Sequence, residues 1–198
     1  RTRAVCDTNR AYDPVDLSTL PADYLPRTNY IPACQDASYQ ARTPRCPWEP
    51  HPPVTGLYRL VHRGMLSQPG ERTLVSAIVP PGVGHIHGLQ STAFAEFGDL
   101  VAATAISVSV PADFFIKSTG RANLHYLWLQ LPLIEVSIEI SARLLGLVCL
   151  TRHYSDLWTV GWKQQFSADR WAKGDRRLNG SRFSTWTKDW SGDTPFRT

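Results

Sequence analysis

Two polar side chains in one short loop, Arg121 and Asn123, have the chemistry needed to read bases in duplex DNA. An arginine can donate two hydrogen bonds to guanine O6 and N7, and an asparagine can pair with adenine N6 and N7. The residues before them predict a helix that ends at Gly120 and holds the loop rigidly. An ordinary solvated turn is the alternative interpretation.

Other basic and hydroxyl side chains are candidates for contacts with the DNA backbone. Those at the predicted helix end are Lys117, Ser118 and Thr119, and those towards the C-terminus are Lys173, Arg176 and Arg177. Surface solubility is the alternative role for both groups. Arg59 and Arg63 are spaced by four residues, and they either contact phosphate or form structural ion pairs with acids such as Glu71.

Signals for metal binding and catalysis are weak. His85 and His87 share a face of an extended segment, but no third ligand is evident, so we favour a polar pair in a glycine-flanked loop. The four cysteines form no C-x-x-C pair, which disfavours a zinc ribbon and favours free thiols in the cytoplasm. Glu135 and Glu139 fit the start of a helix, where complementing the helix dipole is a commoner role than catalysis.

No catalytic or cofactor motif is present. The sequence lacks G-x-G-x-x-G, G-x-x-x-x-G-K-[ST] and G-x-S-x-G. We therefore expect no catalysis by this chain alone, and no cofactor or metal bound to it. Trp171 and Trp186 could stack on a flipped base, but buried anchors are the commoner role of such residues.

Apolar spacing predicts the elements that would position these side chains. Residues 57–66 fit a short helix or a strand-to-helix segment, with Arg59 and Arg63 together on its polar face. The β-branched run 71–79 predicts a strand, and 84–92 is loop-like.

Helical spacing follows in three places. Residues 93–110 predict a mostly buried helix, and 111–117 a second short helix or a kinked continuation that starts at a proline. Residues 138–158 predict a long amphipathic helix. We expect an α+β fold in which a small mixed sheet packs against two or three helices.

Composition suggests three regions. Nine of the 15 prolines lie in residues 1–56, which predicts an extended arm docked on the domain through its aromatic rings. Residues 57–160 form the expected recognition core, and 161–198 a basic, tryptophan-rich extension. The N-terminus lacks an initiator methionine and a signal core, so we expect part of a longer chain.

Charge and hydropathy narrow the possible partners. The chain of 198 residues has a net charge of +4, and seven basic residues against two acidic ones lie between 163 and 188. Nucleic acid is therefore a plausible partner. The most apolar stretch, 100–116, is interrupted by polar residues and a proline, so we expect no membrane span.

The order of several motifs resembles the target-recognition region of large restriction-modification and phage-defence DNA adenine methylases, of the type IIG-like kind. The similar segments are YRLVHR at 58–63, ERTLVSAIVPPG at 71–82, the helical stretch 99–117, STGRAN at 118–123 and LQLP at 129–132, with YLPRTNY at 24–30 and DRW at 169–171. The likeness covers most of residues 24–175.

The resemblance implies a parent enzyme that transfers a methyl group from S-adenosylmethionine to adenine N6 at a defined DNA sequence. HPPV at 51–54 and VPPG at 79–82 lack the Asn or Asp and the aromatic residue of the family's Asn-Pro-Pro-Tyr-type motif. Catalysis and S-adenosylmethionine binding are then expected in another domain of the parent chain, which would be this region's partner together with double-stranded DNA. The alternative is a protein-interaction or scaffolding module of a defence complex, with the proline-rich arm docking a partner subunit.

Overall fold

A computed structural model describes residues 15–16, 19–25, 30–169 and 186–192. The chain divides into two compact units. The first, here called the central unit, is Pro32–Leu144. The second, the terminal unit, combines Arg1–Ile31 with Leu145–Thr198.

The described elements are α1 (Asp36–Arg42), β1 (Arg59–Arg63), β2 (Ser76–Val79), β3 (Leu89–Ala93), α2 (Phe97–Ser107), α3 (Val110–Ser118), α4 (Ile138–Val148) and α5 (Ser155–Gly161). Short 3₁₀ helices lie at Val54–Gly56, Leu127–Gln130, Arg152–Tyr154 and Gln164–Ala168. The three strands form one antiparallel sheet in the order β2-β1-β3. The predicted α+β class is confirmed, with a sheet that is antiparallel throughout.

The central strand β1 explains why its sequence also fits a helix. Its first four residues are all buried, with Leu60 and His62 fully inaccessible. A strand covered on both faces loses the alternation of apolar and polar residues, so periodicity cannot distinguish it from a short buried helix. The sequence does not predict the edge strand β3, for a different reason. Three of the five residues in Leu89–Ala93 are polar, and all five are only partly buried.

Strand β2 is shorter than the predicted 71–79 because a side chain, and not a neighbouring strand, accepts the backbone hydrogen bonds before Ser76. The Asp113 carboxylate accepts hydrogen bonds from the amides of Thr73 and Leu74, at 2.8 and 2.6 Å. Those amides are therefore not available to a neighbouring strand, and pairing begins at Ser76. The same contact fixes α3 against this segment.

The two predicted helices at 93–117 are confirmed as α2 and α3, which are bent by 62° at their junction. Ser109 caps α3 by accepting a hydrogen bond from the Ala112 amide at 3.3 Å. Helix α3 ends before Gly120, which takes the left-handed φ of 65° expected of a residue just beyond a helix.

The core of the central unit lies beneath α3. Leu74, Ala112, Ile116, Leu124 and Leu127 form a buried cluster, against which Leu66, Ile106, Trp128 and Leu131 pack. The loop that follows α3 is therefore anchored to the core through Leu124.

The predicted single helix at 138–158 is wrong: α4 ends at Val148 and α5 starts at Ser155. Partners distant in sequence hold the break. The Arg152 amide donates to Ala22 O at 2.7 Å, and Trp190 Nε1 donates to Cys149 O at 2.7 Å. Backbone groups that a continuous helix would use internally are therefore engaged elsewhere.

Within the described residues, no single helix has the length and hydropathy to cross a membrane; α2 and α3 together satisfy length and composition only as a pair bent by 62°. The three described cysteines, Cys34, Cys46 and Cys149, are free.

Candidate nucleic-acid interface

The loop after α3 pairs with the segment that follows β1. Leu66 N donates to Ala122 O and Leu124 N donates to Gly64 O, both at 2.8 Å, so that Met65 and Asn123 form an antiparallel bridge. The two segments meet at this one isolated bridge, with the chain bent at Gly64 and Ala122, and we call the pair of segments the ribbon. Residues more than 50 positions apart in the sequence are thereby brought side by side.

Exposure, and not strand alternation, identifies the outward side chains, because the chain bends at Gly64 and Ala122 and turns at His125. Leu66 and Leu124 pack into the core, and Leu124 is fully buried. The neighbouring positions are exposed, and we call them together the outer ribbon face: Arg63, Met65, Arg121, Asn123 and His125. Two of these five residues are cationic and none is acidic.

The second segment of the ribbon is held at its start, and its backbone is constrained at His125. Gln68 Nε2 donates to Arg121 O at 2.8 Å, and Gly120 supplies the positive φ that starts the turn. His125 has a φ of 41°, which is unusual for a residue other than glycine. Because the backbone is constrained, the exposed side chains of Arg121 and Asn123 are presented from a defined position.

The three candidates at the helix end are engaged in local hydrogen bonds. Lys117 Nζ donates to Gly70 O at 2.9 Å, the Ser118 hydroxyl donates to Phe115 O, and the Thr119 hydroxyl donates to Ile116 O. The two hydroxyl protons therefore satisfy carbonyl groups at the end of α3. Only Lys117 keeps further donors for a phosphate.

Arg59 lies inside the fold. It is 2% exposed, and its guanidinium donates to Val83 O and to the Ser91 hydroxyl, the latter at 3.4 Å. Burial lowers the pKa of this guanidinium below its ordinary value. The expectation that Arg59 contacts phosphate does not fit this position, whereas Arg63, at the end of the same strand, is exposed.

The C-terminal candidates Lys173, Arg176 and Arg177, together with Trp171, lie outside the described residues. Trp186 is described and is 5% exposed, stacked on Trp158 with ring centroids 5.1 Å apart. A ring in this position anchors the terminal unit and is not free to stack on a base.

The histidine pair belongs to the loop before β3. His85 Nε2 lies 2.8 Å from the Ser91 hydroxyl, and both His85 and His87 are exposed. In the described part of the chain, no group of three or more His, Cys, Asp or Glu side chains could hold a metal ion.

A buried serine-histidine pair was not recognised in the sequence. His62 Nε2 lies 3.2 Å from the Ser107 hydroxyl, and the ring stacks on Trp128 at 4.7 Å. Burial lowers the pKa of His62 to about 4, so the ring is neutral near pH 7. Because His62 and Ser107 are at most 2% exposed, no substrate can reach them.

Glu139 lies in the first turn of α4, where a carboxylate complements the helix dipole. A hydrogen bond from Ser137 is the main reason that the pKa of Glu139 is lowered. Its full exposure fits this role rather than catalysis.

A second surface of the central unit has the opposite chemistry. A groove of about 540 Å³ runs between α3 and residues 130–140, and we call it the apolar groove. Ten of its 12 lining residues have apolar side chains, the exceptions being Ser109 and Gln130. Three of the lining residues, Phe115, Ile134 and Ile140, are 38%, 55% and 49% exposed. Contiguous exposed apolar surface of this kind is typical of interaction sites.

The positive charge of the outer ribbon face does not reflect the net charge of the central unit. Residues 32–144 contain eight basic and eight acidic side chains, whereas the rest of the chain has 13 basic and nine acidic ones. The outer ribbon face is therefore a local segregation of charge within a unit that is neutral as a whole.

Comparison with protein-family models, curated proteins and solved structures finds no match to this chain. Functional inference therefore depends on the residues and their arrangement.

Proposed function

We propose that this chain recognises a specific sequence in double-stranded DNA through the outer ribbon face. The supporting observation is that the exposed Arg63 lies near the exposed Arg121 and Asn123, because the segment that follows β1 pairs with the loop after α3. A β-ribbon fits the major groove of B-form DNA, where arginine and asparagine distinguish guanine and adenine.

The role within a larger enzyme follows from the sequence resemblance. In this proposal the chain is the target-recognition part of an S-adenosylmethionine-dependent DNA adenine-N6 methyltransferase in a restriction-modification or phage-defence system. S-adenosylmethionine and the target base would bind to the catalytic domain of the same parent chain. The ribbon would select the site, and Arg63 and Lys117 would contribute phosphate contacts.

Binding of the full 198-residue chain to fluorescent duplex DNA tests the proposal. We expect affinity to fall steeply between about 50 and 200 mM salt, because phosphate contacts release counterions. Arg121→Ala and Asn123→Ala should each weaken binding to the preferred site by about 10- to 100-fold and relax base preference.

Arg42→Ala is the matched control, because Arg42 is an exposed arginine on α1 and is not one of the five residues of the outer ribbon face. It should change affinity less than twofold, and circular dichroism should confirm folding of each variant. If the folded chain retains no duplex at low salt, or if Arg121→Ala behaves like Arg42→Ala, the proposal is wrong.

The apolar groove favours a second candidate function, namely docking of a partner protein. Its lining is too extended and too apolar for an ordinary solvated surface, and two exposed carboxylates, Glu135 and Glu139, border the wall formed by residues 130–140. An apolar wall with acidic residues along 130–140 matches an amphipathic helix with basic residues on that side of its apolar face. On the other side of the groove, the Arg72 guanidinium donates to Ser109 O at 3.4 Å.

A synthetic leucine-lysine amphipathic peptide of about 18 residues is a suitable probe. Phe115→Asp, at a lining residue that is 38% exposed, should abolish its binding, whereas Tyr126→Asp, at a residue that is 81% exposed outside the groove, should not. Equal binding of a leucine-glutamate peptide would remove the argument from charge. Self-association of the chain that Phe115→Asp abolishes would identify a second copy as the occupant instead.

A further inference from the structure

We propose that Asn123 and Met65 together read one A·T base pair, and that Arg121 reads a guanine within about two base pairs of it. This inference rests on the proposed DNA recognition and names the bases that the ribbon selects. It is carried by the bridge between residues 65 and 123.

The hydrogen bonds that flank the bridge determine the geometry of this pair. They join Leu66 N to Ala122 O and Leu124 N to Gly64 O, whereas Met65 and Asn123 exchange none with each other. In such a non-hydrogen-bonded antiparallel pair, the Cα atoms lie about 4.5 Å apart and the side chains emerge together on one face. Met65 and Asn123 are therefore immediate neighbours on the outer ribbon face.

The chemistry of this pair matches the major-groove edge of A·T. The asparagine amide offers one acceptor and two donors, which fit the N6 amino group and N7 of adenine. The methionine side chain offers an apolar end, which fits the C5 methyl group of thymine. A G·C pair has no methyl group at this edge and cannot satisfy both side chains.

The exposure of Met65 has no explanation in the packing of the fold. It is the one methionine of the sequence, and it is 65% exposed between polar and charged neighbours. A flexible apolar side chain in this position gains contacts only when another surface covers the ribbon.

The position of Arg121 follows from its distance along the chain. It lies two residues before Asn123, and both residues are exposed. Two residues of chain span at most about 7 Å, close to two base-pair steps of about 3.4 Å each. A guanine contact is therefore expected close to the A·T pair.

Selection of bound duplexes from a randomised library, with the full chain, tests the inference. We expect the selected site to contain an A·T pair and a guanine no more than about two pairs away. Asn123→Ala should remove the preference for adenine, and Arg121→Ala the preference for guanine.

Replacement of the thymine by uracil then tests Met65, because it removes only the methyl group. Wild-type affinity should fall about fourfold, the effect expected for one buried methyl group. Met65→Ala should bind the two duplexes equally, whereas Met65→Leu should retain most of the difference. Melting temperatures close to wild type would confirm that these exposed substitutions leave the fold intact.

The outcomes separate the two proposals. Specific binding with equal affinity for thymine and uracil overturns the role of Met65 and leaves DNA recognition standing. If the selected site contains no A·T pair whose preference depends on Asn123, the whole inference is overturned, and DNA recognition again stands. Failure of the folded chain to select or retain any duplex overturns both.

Discussion

The outer ribbon face and the apolar groove belong to the same compact unit and share one core, yet they present opposite chemistry. The ribbon exposes Arg63, Arg121 and Asn123 from a backbone held by hydrogen bonds. The groove exposes phenylalanine and aliphatic side chains of α3 and residues 130–140. One small core can therefore support a polar surface suited to DNA and an apolar surface suited to protein.

The physical link between the two regions is helix α3. Its buried side contributes Ala112 and Ile116 to the core, on which Leu124 of the ribbon also packs. Ala112 also lines the groove, and the C-terminal end of α3 leads into the ribbon through Gly120. A substitution in the core should therefore affect binding at both surfaces, whereas a substitution on one surface should affect binding at that surface alone.

Ile116→Ala should have the largest effect. Ile116 is fully buried in the cluster beneath α3, so we expect a loss of about 4 kcal/mol in the free energy of unfolding. Denaturant titration would measure it, with Ile140→Ala, at a 49% exposed helical site, as the matched control at under about 1 kcal/mol. Equal losses for the two variants would contradict a shared core.

Acid should destabilise both regions together through His62. Its folded-state pKa of about 4 lies below the ordinary 6.5, so the unfolded chain binds the proton more tightly. Stability should be unaffected by this group above pH 6.5, decrease as pH falls towards about 4, and lose about 3 kcal/mol in total. Nuclear magnetic resonance of the His62 ring would check this, and titration of that ring near pH 6.5 would contradict the prediction.

Gly120→Ala should affect binding at the outer ribbon face but not at the apolar groove. The φ of 65° is strained for alanine, although no atom lies within 4 Å of the added methyl group. We therefore expect a loss of about 1 kcal/mol in stability from backbone strain alone. Duplex affinity should fall because the ribbon starts at this turn, and peptide binding at the groove should not. A fall in both affinities would mean that the two surfaces are coupled.

The smallest expected effects are those that a substitution on one surface has on ligand binding at the other surface. Arg121→Ala should leave peptide binding within about twofold of wild type, and Phe115→Asp should do the same for duplex binding, because the two sites share no lining residue and independent sites act additively. Titration of each variant with both ligands would measure this. A larger cross-effect would indicate that one ligand occupies both surfaces.

Local signals in the sequence sufficed for α3 and its end. Pro111 and Gly120 have φ preferences that act within one turn, and each takes the predicted role, at the start and just beyond the end of α3. Ser109, which the sequence predicts to lie within a helix over 93–110, instead caps α3. The exposed positions of Arg121 and Asn123 follow from the same turn. The α+β class was also accessible, because strand and helix patterns were both present.

Tertiary structure decided the remaining features, because each depends on a partner far away in the sequence. Burial on both sides made Arg59–Arg63 a central strand and placed Arg59 inside the fold. Asp113 shortened β2, and contacts from Ala22 and Trp190 interrupted the predicted long helix. The bridge that places Met65 beside Asn123 is the clearest case, since backbone pairing between distant segments leaves no periodicity in the sequence to predict it.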